Sequence, residues 1–261
     1  MVIPKIIFII PFRDRYYQKT HFDIYMKYIM EDYDKNDYEI YYSHQRDSRP
    51  FNRGAIKNLG FMSMMQKYPN NFKEITFVFN DIDTLPYLKD QLNYKTTKGN
   101  IKHFYGFEYA LGGIISITGD DFLKMNGFPN YWGWGLEDNR LNDRAKHYKI
   151  NIDRSNFFSY YDNKILNFDK TPQKLITKNP MSHSNKNGAF LNSGISSLVN
   201  INFKIDNEFI NITNFNDKLL LFENEQFRVK DCQVEGSRMN DHNKSRYGGI
   251  MKMNIGIGQK I

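Results

Sequence analysis

The apolar positions of the first eighty residues form two kinds of pattern. Short runs of β-branched and aromatic residues predict buried strands, and longer segments with apolar residues three or four apart predict helices. The predicted strands cover 5–10, 38–42 and 75–79, and the predicted helices cover 16–32 and 53–68. This alternation is typical of an α/β domain with a mainly parallel sheet flanked by helices.

The ends of these strands are the expected place for a ligand. In open α/β sheets the ligand binds beyond the carboxyl ends of the strands. Residues 11–15 follow the first predicted strand, and residues 81–83 follow the third. We therefore expect these two segments to meet in one crevice although they lie far apart in the chain.

The following residues carry weaker patterns. We predict strands at 112–118 and 149–153 and helices at 120–126 and 136–148, with an aromatic and glycine-rich loop at 128–135. The pattern fades from residue 214 onward.

Charge and cysteine content narrow the class of protein. The 261 residues carry a net charge of +7, but the basic residues form no consecutive block, which argues against a nucleic-acid partner. Cys232 is the only cysteine, so an intrachain disulfide is excluded and a reducing compartment is favoured. No segment has the pattern of a transmembrane helix or a signal peptide. We expect a soluble cytoplasmic protein, and its many Asn, Lys and Ile residues are typical of AT-rich coding, as in a large DNA virus.

Two carboxylates follow the third strand at positions i and i+2. Asp81 and Asp83 project to the same side of an extended chain, and paired carboxylates can hold a hard divalent ion that clamps a diphosphate. A solvated acidic turn is the alternative interpretation. His183, in a polar loop, becomes a candidate further ligand only if a metal lies at Asp83.

Both tryptophans of the chain lie in the segment 131–138. Gly133 and Gly135 allow backbone turns that other residues resist. Glu137 and Asp138 fall in the first turn of the next predicted helix, where the helix dipole favours an ionised carboxylate. An ionised Asp beside indole rings can accept a proton from a sugar hydroxyl, whereas the alternative is an ordinary acidic helix start.

Basic and aromatic residues are close together at two places. Arg13, Arg15 and Arg53 offer planar guanidinium groups that suit phosphate. Phe12 and Phe51 lie beside them and can stack on a nucleobase. Surface ion pairs are the alternative interpretation of these arginines.

Taken together, these residues resemble the beta-1,4-galactosyltransferase family of glycosyltransferases with the GT-A fold. The matching segments occur in the family's order and cover about residues 4–212, and the tryptophan and glycine run is the most specific of them. The segments are 10–15, 51–53, 77–86, 112–116, 122–138 and 192–198.

The resemblance implies a GT-A, Rossmann-like fold with a mixed, mainly parallel sheet flanked by helices. Residues 1–212 would form the catalytic domain and residues 213–261 a C-terminal extension of unknown role. The implied activity is a metal-dependent, inverting transfer of Gal, GalNAc or GlcNAc from a UDP-sugar to a hydroxyl of a glycan or glycoconjugate acceptor. The expected metal is Mn²⁺.

The resemblance also implies roles for single residues. Asp138 would be the catalytic base, Glu137 would bind the sugar or acceptor, and Trp134 would belong to a mobile loop over the donor. The implied metal ligands are Asp83, His183 and Met181. The implied donor-binding residues are Pro11, Phe12, Arg13, Arg15, Phe51, Arg53, Asp81, Ile82, Gly112 and Gly113.

The chain departs from the family pattern at several positions. Leu136 and Asn139 replace a glycine and an acidic residue of the family, and neither change removes the base. Ala110 stands where the family has a larger residue near C2 of the donor sugar, so an N-acetyl group would have room. The spacing of Met181 and His183 differs from the family's metal segment. The loop that follows is shorter than in the family, so acceptor identity is not carried over.

Two other classes of protein share parts of this pattern. A catalytically inactive module of the same fold would bind a glycan or nucleotide without turnover, but the presence of Asp83, Glu137, Asp138 and His183 together argues against it. A sugar nucleotidyltransferase also uses paired carboxylates. However, no glycine-rich basic loop follows the first strand, and the tryptophan run has no role in that class.

Overall fold

The computed structural model describes residues 2–168, 173–177, 189–222 and 227–231. The strands are β1 (Ile6–Phe12), β2 (Tyr38–Gln45), β3 (Thr76–Asn80), β4 (Thr84–Pro86), β5 (Asn100–Gly106), β6 (Ile114–Thr118), β7 (Asn151–Asp153), β8 (Phe158–Ser159), β9 (Ile165–Asn167), β10 (Gln173–Thr177), β11 (Leu198–Asp206), β12 (Phe209–Asp217) and β13 (Phe227–Asp231). The helices are α1 (Tyr16–Ile29), α2 (Arg53–Lys67), α3 (Gly119–Lys124), α4 (Glu137–His147) and α5 (Ala189–Asn192), with a 3-10 turn at Ile195–Ser197. Across these ranges no helix has the length and apolar character needed to cross a membrane.

One large sheet organises the fold. Its strand order is β11-β12-β2-β1-β3-β6-β5-β7, and β8 also pairs with β5. Strands β12, β2, β1 and β3 run parallel to one another, whereas β6 is antiparallel to both β3 and β5, and β11 is antiparallel to β12. This mixed, mainly parallel sheet confirms the predicted α/β class. Two small antiparallel sheets pair β4 with β9 and β10 with β13.

The central strand β1 is buried on both faces of the sheet. Ile7 and Ile9 pack into the core that contains α2, whereas Phe8 and Ile10 pack into a second core that contains Phe22 of α1. This explains why the strand is apolar at nearly every position rather than alternating. Because β1 and β3 are parallel neighbours, their carboxyl ends lie at the same edge of the sheet.

The predicted elements agree with the structure to within a few residues at most ends. The predicted helix at 16–32 ends at Ile29, and the predicted strand at 112–118 begins at Ile114. The sequence patterns did not predict β5, which lies between β6 and β7 and carries the polar side chains of Lys102 and His103. Strand β9, which pairs beside the segment after β3, was also missed.

The C-terminal boundary predicted at residue 212 falls inside β12. This strand runs to Asp217 and pairs with both β2 and β11, so it belongs to the main sheet. Beyond it, Leu220 is buried and its carbonyl accepts a hydrogen bond from Trp132 Nε1 at 3.0 Å. The packed domain therefore extends past the predicted boundary.

Asp217 is expected to be a main stabilising residue of this junction. Its Oδ2 accepts hydrogen bonds from Asn130, Ser193 and Ser197, and its Oδ1 accepts two backbone N–H groups at 219–220. In Asp217→Asn one of the two oxygens becomes an NH₂ group, which cannot accept the hydrogen bonds made to that oxygen. We therefore expect the free energy of unfolding to fall by about 3 kcal/mol.

Urea unfolding followed by circular dichroism measures this change. The exposed Asp206 at the end of β11 provides the control, because Asp206→Asn should change the free energy of unfolding by less than about 0.5 kcal/mol. Equal effects of the two substitutions would show that Asp217 has no special role.

Candidate active site

Three chain segments meet at the carboxyl edge of β1 and β3. They are the turn after β1, the start of α2 and the acidic turn after β3. Together they form an open cleft whose walls carry basic, acidic and aromatic side chains. The lining residues are Pro11, Arg13, Arg15, Phe51, Arg53, Asp81, Ile82 and Asp83.

Helix α2 projects two basic side chains from one face toward the acidic residues. Asn52 caps the helix, since its side chain accepts a hydrogen bond from the N–H of Ala55. Arg53 and Lys57 are four residues apart and therefore lie on the same face of the helix. This spacing directs one cation toward the turn after β3 and the other toward the start of α4.

Arg53 joins two acidic residues. Its Nη2 donates to Asp81 Oδ1 at 2.6 Å, and its Nε lies 3.1 Å from Glu137 Oε1 in an ion pair without hydrogen-bond geometry. Glu137 is buried and faces Arg53. The predicted contact of Glu137 with a sugar would therefore compete with an existing charge partner.

Asp138 is held from three directions. Its Oδ1 accepts a hydrogen bond from Lys57 Nζ at 2.8 Å, and its backbone carbonyl accepts one from the N–H of Leu111 at 2.9 Å. A Cβ atom added to Gly112 would lie 2.3 Å from Asp138 Oδ2. The carboxylate thus occupies the space that any side chain at position 112 would need.

The surroundings of Asp138 raise the pKa of its carboxyl toward neutral pH. Burial raises the pKa of the Asp138 carboxyl to about 6, with Glu137 and Asp81 adding to the rise and Lys57 and Arg53 opposing it. A carboxyl with this pKa is ionised at pH 7 yet basic enough to take up a proton, which suits a general base.

Gly113 contacts the backbone of the acidic turn after β3. Its carbonyl accepts a hydrogen bond from the N–H of Asp81 at 3.0 Å. Its φ of 72° lies in the left-handed region, and a Cβ atom there would lie 2.4 Å from the carbonyl oxygen of Tyr105. Glycine is therefore required at this position for both backbone conformation and space.

The two tryptophans have different environments. Trp132 is buried and its ring stacks on Phe215 with centroids 5.3 Å apart. Trp134 is 38% exposed, and its backbone N–H donates to the carbonyl of Leu175 in β10 at 2.7 Å. Trp132 is a core residue, whereas Trp134 is partly exposed at the surface, and its contact with a donor stays a prediction.

The structure places one predicted donor-site residue in the hydrophobic core. Phe12 does not line the cleft: its side chain is fully buried and packs edge-on against Tyr42, His44 and Phe209. This follows from β1 geometry, since alternate side chains of a strand point to opposite faces. The predicted contact between Phe12 and a nucleotide stays a prediction, and in this structure the Phe12 side chain is not among those that line the cleft.

Two predicted metal ligands, Met181 and His183, lie outside the described residues. Asp83 lies in the cleft, and its backbone carbonyl accepts a hydrogen bond from the N–H of Phe168 at 2.7 Å, just after β9. In the described part of the chain, no group of three His, Cys, Asp or Glu side chains is arranged to hold a metal ion.

Sequence reasoning missed Lys57. The helical pattern treats positions 56 and 59 as the buried face, and a lysine between them looks like a solvent-exposed residue. The available signal was its spacing of four residues from Arg53, together with Glu137 and Asp138 at the start of the predicted helix 136–148. In the structure the Lys57 side chain is only 2% exposed.

Two family models match consecutive parts of the chain. A model described as the N-terminal region of glycosyl transferase group 7 matches residues 2–97. A second, described as the N-terminal domain of galactosyltransferase, matches residues 94–165. Together the two matches include every residue of the cleft and of α4.

Several beta-1,4-galactosyltransferases are similar in sequence. Mouse beta-1,4-galactosyltransferase 1 is 33% identical over 163 residues, which are 58% of this chain and 39% of that protein. Mouse beta-1,4-galactosyltransferase 4 is 36% identical over 129 residues, which are 45% of this chain and 36% of that protein. The match to each of these relatives thus spans less than half of the relative's length.

Solved structures are similar in fold. A Drosophila beta-1,4-galactosyltransferase 7 mutant, in complex with manganese, UDP-Gal and xylobiose, gives a TM-score of 0.62 at 21% identity. The catalytic domain of Drosophila beta-1,4-galactosyltransferase 7 with xylobiose gives a TM-score of 0.61 at 20% identity. Each match covers 81% of this chain and 94% of the other chain. These likenesses confirm the predicted fold.

Proposed function

The chain belongs to the beta-1,4-galactosyltransferase family, and on this basis we propose that it transfers a hexose from a UDP-sugar to a hydroxyl of a glycan or glycoconjugate acceptor. One observation carries the proposal. A cleft is lined by arginines and carboxylates, and Arg53 of α2 is one of its lining residues. One helical turn further along α2, Lys57 fixes the carboxylate of Asp138, which fits against Gly112.

The basic residues of the cleft suit the donor diphosphate. Arg13 and Arg15 offer guanidinium groups to an anionic ligand at the cleft wall, and Arg13 is also tied to the backbone carbonyl of Arg49. Phe51, which is partly exposed beside them, would pack on the uracil ring. These contacts would hold UDP before and after transfer.

The acidic turn after β3 fits a hard divalent ion such as Mn²⁺, the metal present in the Drosophila complex. Asp81 and Asp83 both line the cleft, and Asp81 accepts a hydrogen bond from Arg53. Oxygen ligands are those that hard cations prefer. Asp83 would hold the ion, with Met181 and His183 as its proposed partners. When bound, such an ion supplies charge neutralisation for the departing diphosphate.

The proposed reaction is a single displacement with inversion at the anomeric carbon. Asp138 accepts the proton of the acceptor hydroxyl as that oxygen forms its bond to C1 of the donor sugar. The bond between C1 and the β-phosphate oxygen breaks, and UDP leaves with that electron pair. An α-linked donor would then give a β-linked product. Arg13 and Arg15 stabilise the charge that develops on the diphosphate.

The donor sugar is proposed to be Gal, GalNAc or GlcNAc. Ala110 is buried in a turn, where its N–H donates to the carbonyl of Phe107, and it precedes Leu111 and Gly112 beside Asp138. A methyl group at this position leaves space for an N-acetyl substituent. Comparable or faster turnover of the N-acetylated donors relative to UDP-Gal would support the presence of this space, and a strong preference for UDP-Gal would contradict it.

The decisive experiment is UDP release by the purified protein over a panel of UDP-sugars. With Mn²⁺ and one accepted donor we expect release well above background, because slow hydrolysis of the donor occurs even without an acceptor. EDTA should abolish the signal, and added Mn²⁺ should restore it. UDP binding without release under any donor and acceptor tested would instead favour an inactive binding module.

A further inference from the structure

Lys57 is a buried cation whose charge is directed at the proposed base. Its side chain is 2% exposed, and its Nζ lies 2.8 Å from Asp138 Oδ1 and 4.4 Å from the centre of the Phe128 ring. Lysine is almost never fully buried unless it is paired. The buried Lys57 ammonium group is therefore stabilised by its ion pair with Asp138 and not by water.

The neighbouring cation on α2 does not duplicate this contact. Arg53 is engaged with Asp81 and Glu137. Among the described residues, Lys57 is the cation in direct contact with the Asp138 carboxylate. The two basic residues of α2 thus serve different acidic groups.

The two oxygens of Asp138 are in different environments. Oδ1 is held by Lys57, whereas Oδ2 lies against Gly112 and accepts no hydrogen bond from any residue that the structure describes. The Asp138 side chain is 20% exposed. One oxygen is thus fixed to the protein, and the other is available to a ligand.

We propose that Lys57 is a positioning residue for the base: it fixes Asp138 by Oδ1, keeps the carboxylate ionised and leaves Oδ2 to take the proton of the acceptor hydroxyl. This inference rests on the proposed function, and it adds to it a residue that acts through Asp138 without touching the substrate. The charge arrangement predicts a pH effect that a purely structural role would not produce.

Four charged groups set the protonation of Asp138. After burial, which raises its pKa, Lys57 and Arg53 of α2 lower it, while Glu137 on α4 and Asp81 after β3 raise it. The resulting pKa of about 6 means that the base is ionised above pH 6 and that activity falls as pH drops through 6. Removing the Lys57 charge raises this pKa further, so the acid limb moves to higher pH.

The test is the pH profile of kcat for the wild-type protein and three variants. In Lys57→Met we expect the acid limb to move up by roughly one to three pH units, the effect of one close opposite charge. The KM for the UDP-sugar should change less than about twofold. Lys57→Arg keeps the charge and should restore most of the profile.

Lys67→Met is the matched control on the same helix. Lys67 pairs with Glu39 at 2.8 Å, far from the cleft, so its loss should leave the acid limb where it is. An acid limb that stays near pH 6 in Lys57→Met, or moves equally in Lys67→Met, would overturn the inference.

Two further measurements cover the other outcomes. If Lys57→Met does not fold, the double variant Lys57→Met/Asp138→Asn should regain stability because the unpaired carboxylate is gone, and no regain would count against the pair.

If the wild-type protein transfers no sugar, the proposed function fails but the Lys57 effect is still measurable. The Asp138 carboxyl, titrated by ¹³C NMR without substrate, should half-titrate at higher pH in Lys57→Met, and an unchanged titration would refute the inference.

Discussion

Asp138→Asn is expected to lower the rate of sugar transfer by about 10²- to 10⁴-fold while leaving UDP affinity nearly unchanged. The amide cannot accept the proton that the acceptor hydroxyl releases. The substitution keeps the size of the side chain, so the fit against Gly112 is preserved. Transfer is measured by UDP release with an acceptor, and UDP binding by calorimetry.

A second aspartate on α4 provides the matched control. Asp143 is paired with Arg140 at 2.9 Å, and its side chain is 37% exposed. Asp143→Asn should leave transfer within about twofold of wild type, because a surface ion pair contributes little. Full activity in Asp138→Asn would show that another group is the base, and loss of both transfer and UDP binding would indicate a misfolded site.

The strands that are most readily predicted from the sequence are those whose burial on both faces makes nearly every position apolar. Strands β1 and β3 are buried on both faces, so their sequences are apolar throughout and easy to identify. Strand β5 was missed because Asn100 and Lys102 interrupt its apolar run. Strand β11 alternates between more and less exposed positions at the edge of the sheet, where one face meets solvent. Residues 198–206 form a strand because they pair with β12, and the local sequence pattern holds no information about that pairing.

The cleft could be predicted as a set of residues but not as a set of contacts. The chain order of the arginines and carboxylates indicated which segments would meet, and the lining residues confirm that they do. The pairing of Arg53 with Asp81 depends on how α2 lies against the turn after β3. The pairing of Lys57 with Asp138 depends on how α2 lies against α4. These pairs join residues 28 and 81 positions apart, so no local rule predicts them.

Leu136 occupies a position where the family pattern has a glycine, and the backbone keeps a glycine-like conformation there. The resemblance places a glycine there, and the structure shows a left-handed φ of 72° at this leucine. Such a conformation costs a non-glycine residue about 1–2 kcal/mol. The Leu136 side chain packs on the cluster of Tyr131 and Leu220, which offsets part of that cost. Thus the turn that presents Glu137 and Asp138 keeps its shape despite the substitution.

Arg53→Met is expected to be the most destabilising single change in the cleft. It removes the cation that contacts both Asp81 and Glu137 in a partly buried site. Breaking a buried ion pair in this way costs about 3–5 kcal/mol. We expect a fall of that size in the free energy of unfolding, measured by urea denaturation, together with loss of UDP binding.

Lys5→Met provides the surface comparison. Lys5 pairs with Asp37 at 2.6 Å, the same distance as Arg53 to Asp81, but its side chain is 58% exposed. Its loss should cost less than about 1 kcal/mol, because exposed pairs are screened by water and salt. Equal losses in the two variants would mean that burial does not strengthen the Arg53 contacts.

A double variant separates charge from packing at Arg53. In Arg53→Met/Glu137→Gln one of the two carboxylates that lost the Arg53 cation is replaced by a neutral amide, so part of the lost stability should return. If the double variant is instead less stable than Arg53→Met by the full cost of Glu137→Gln alone, the two residues are energetically independent. The acidic turn after β3 would then be organised without the help of α4, and the cleft would not depend on the ion pair between Arg53 and Glu137.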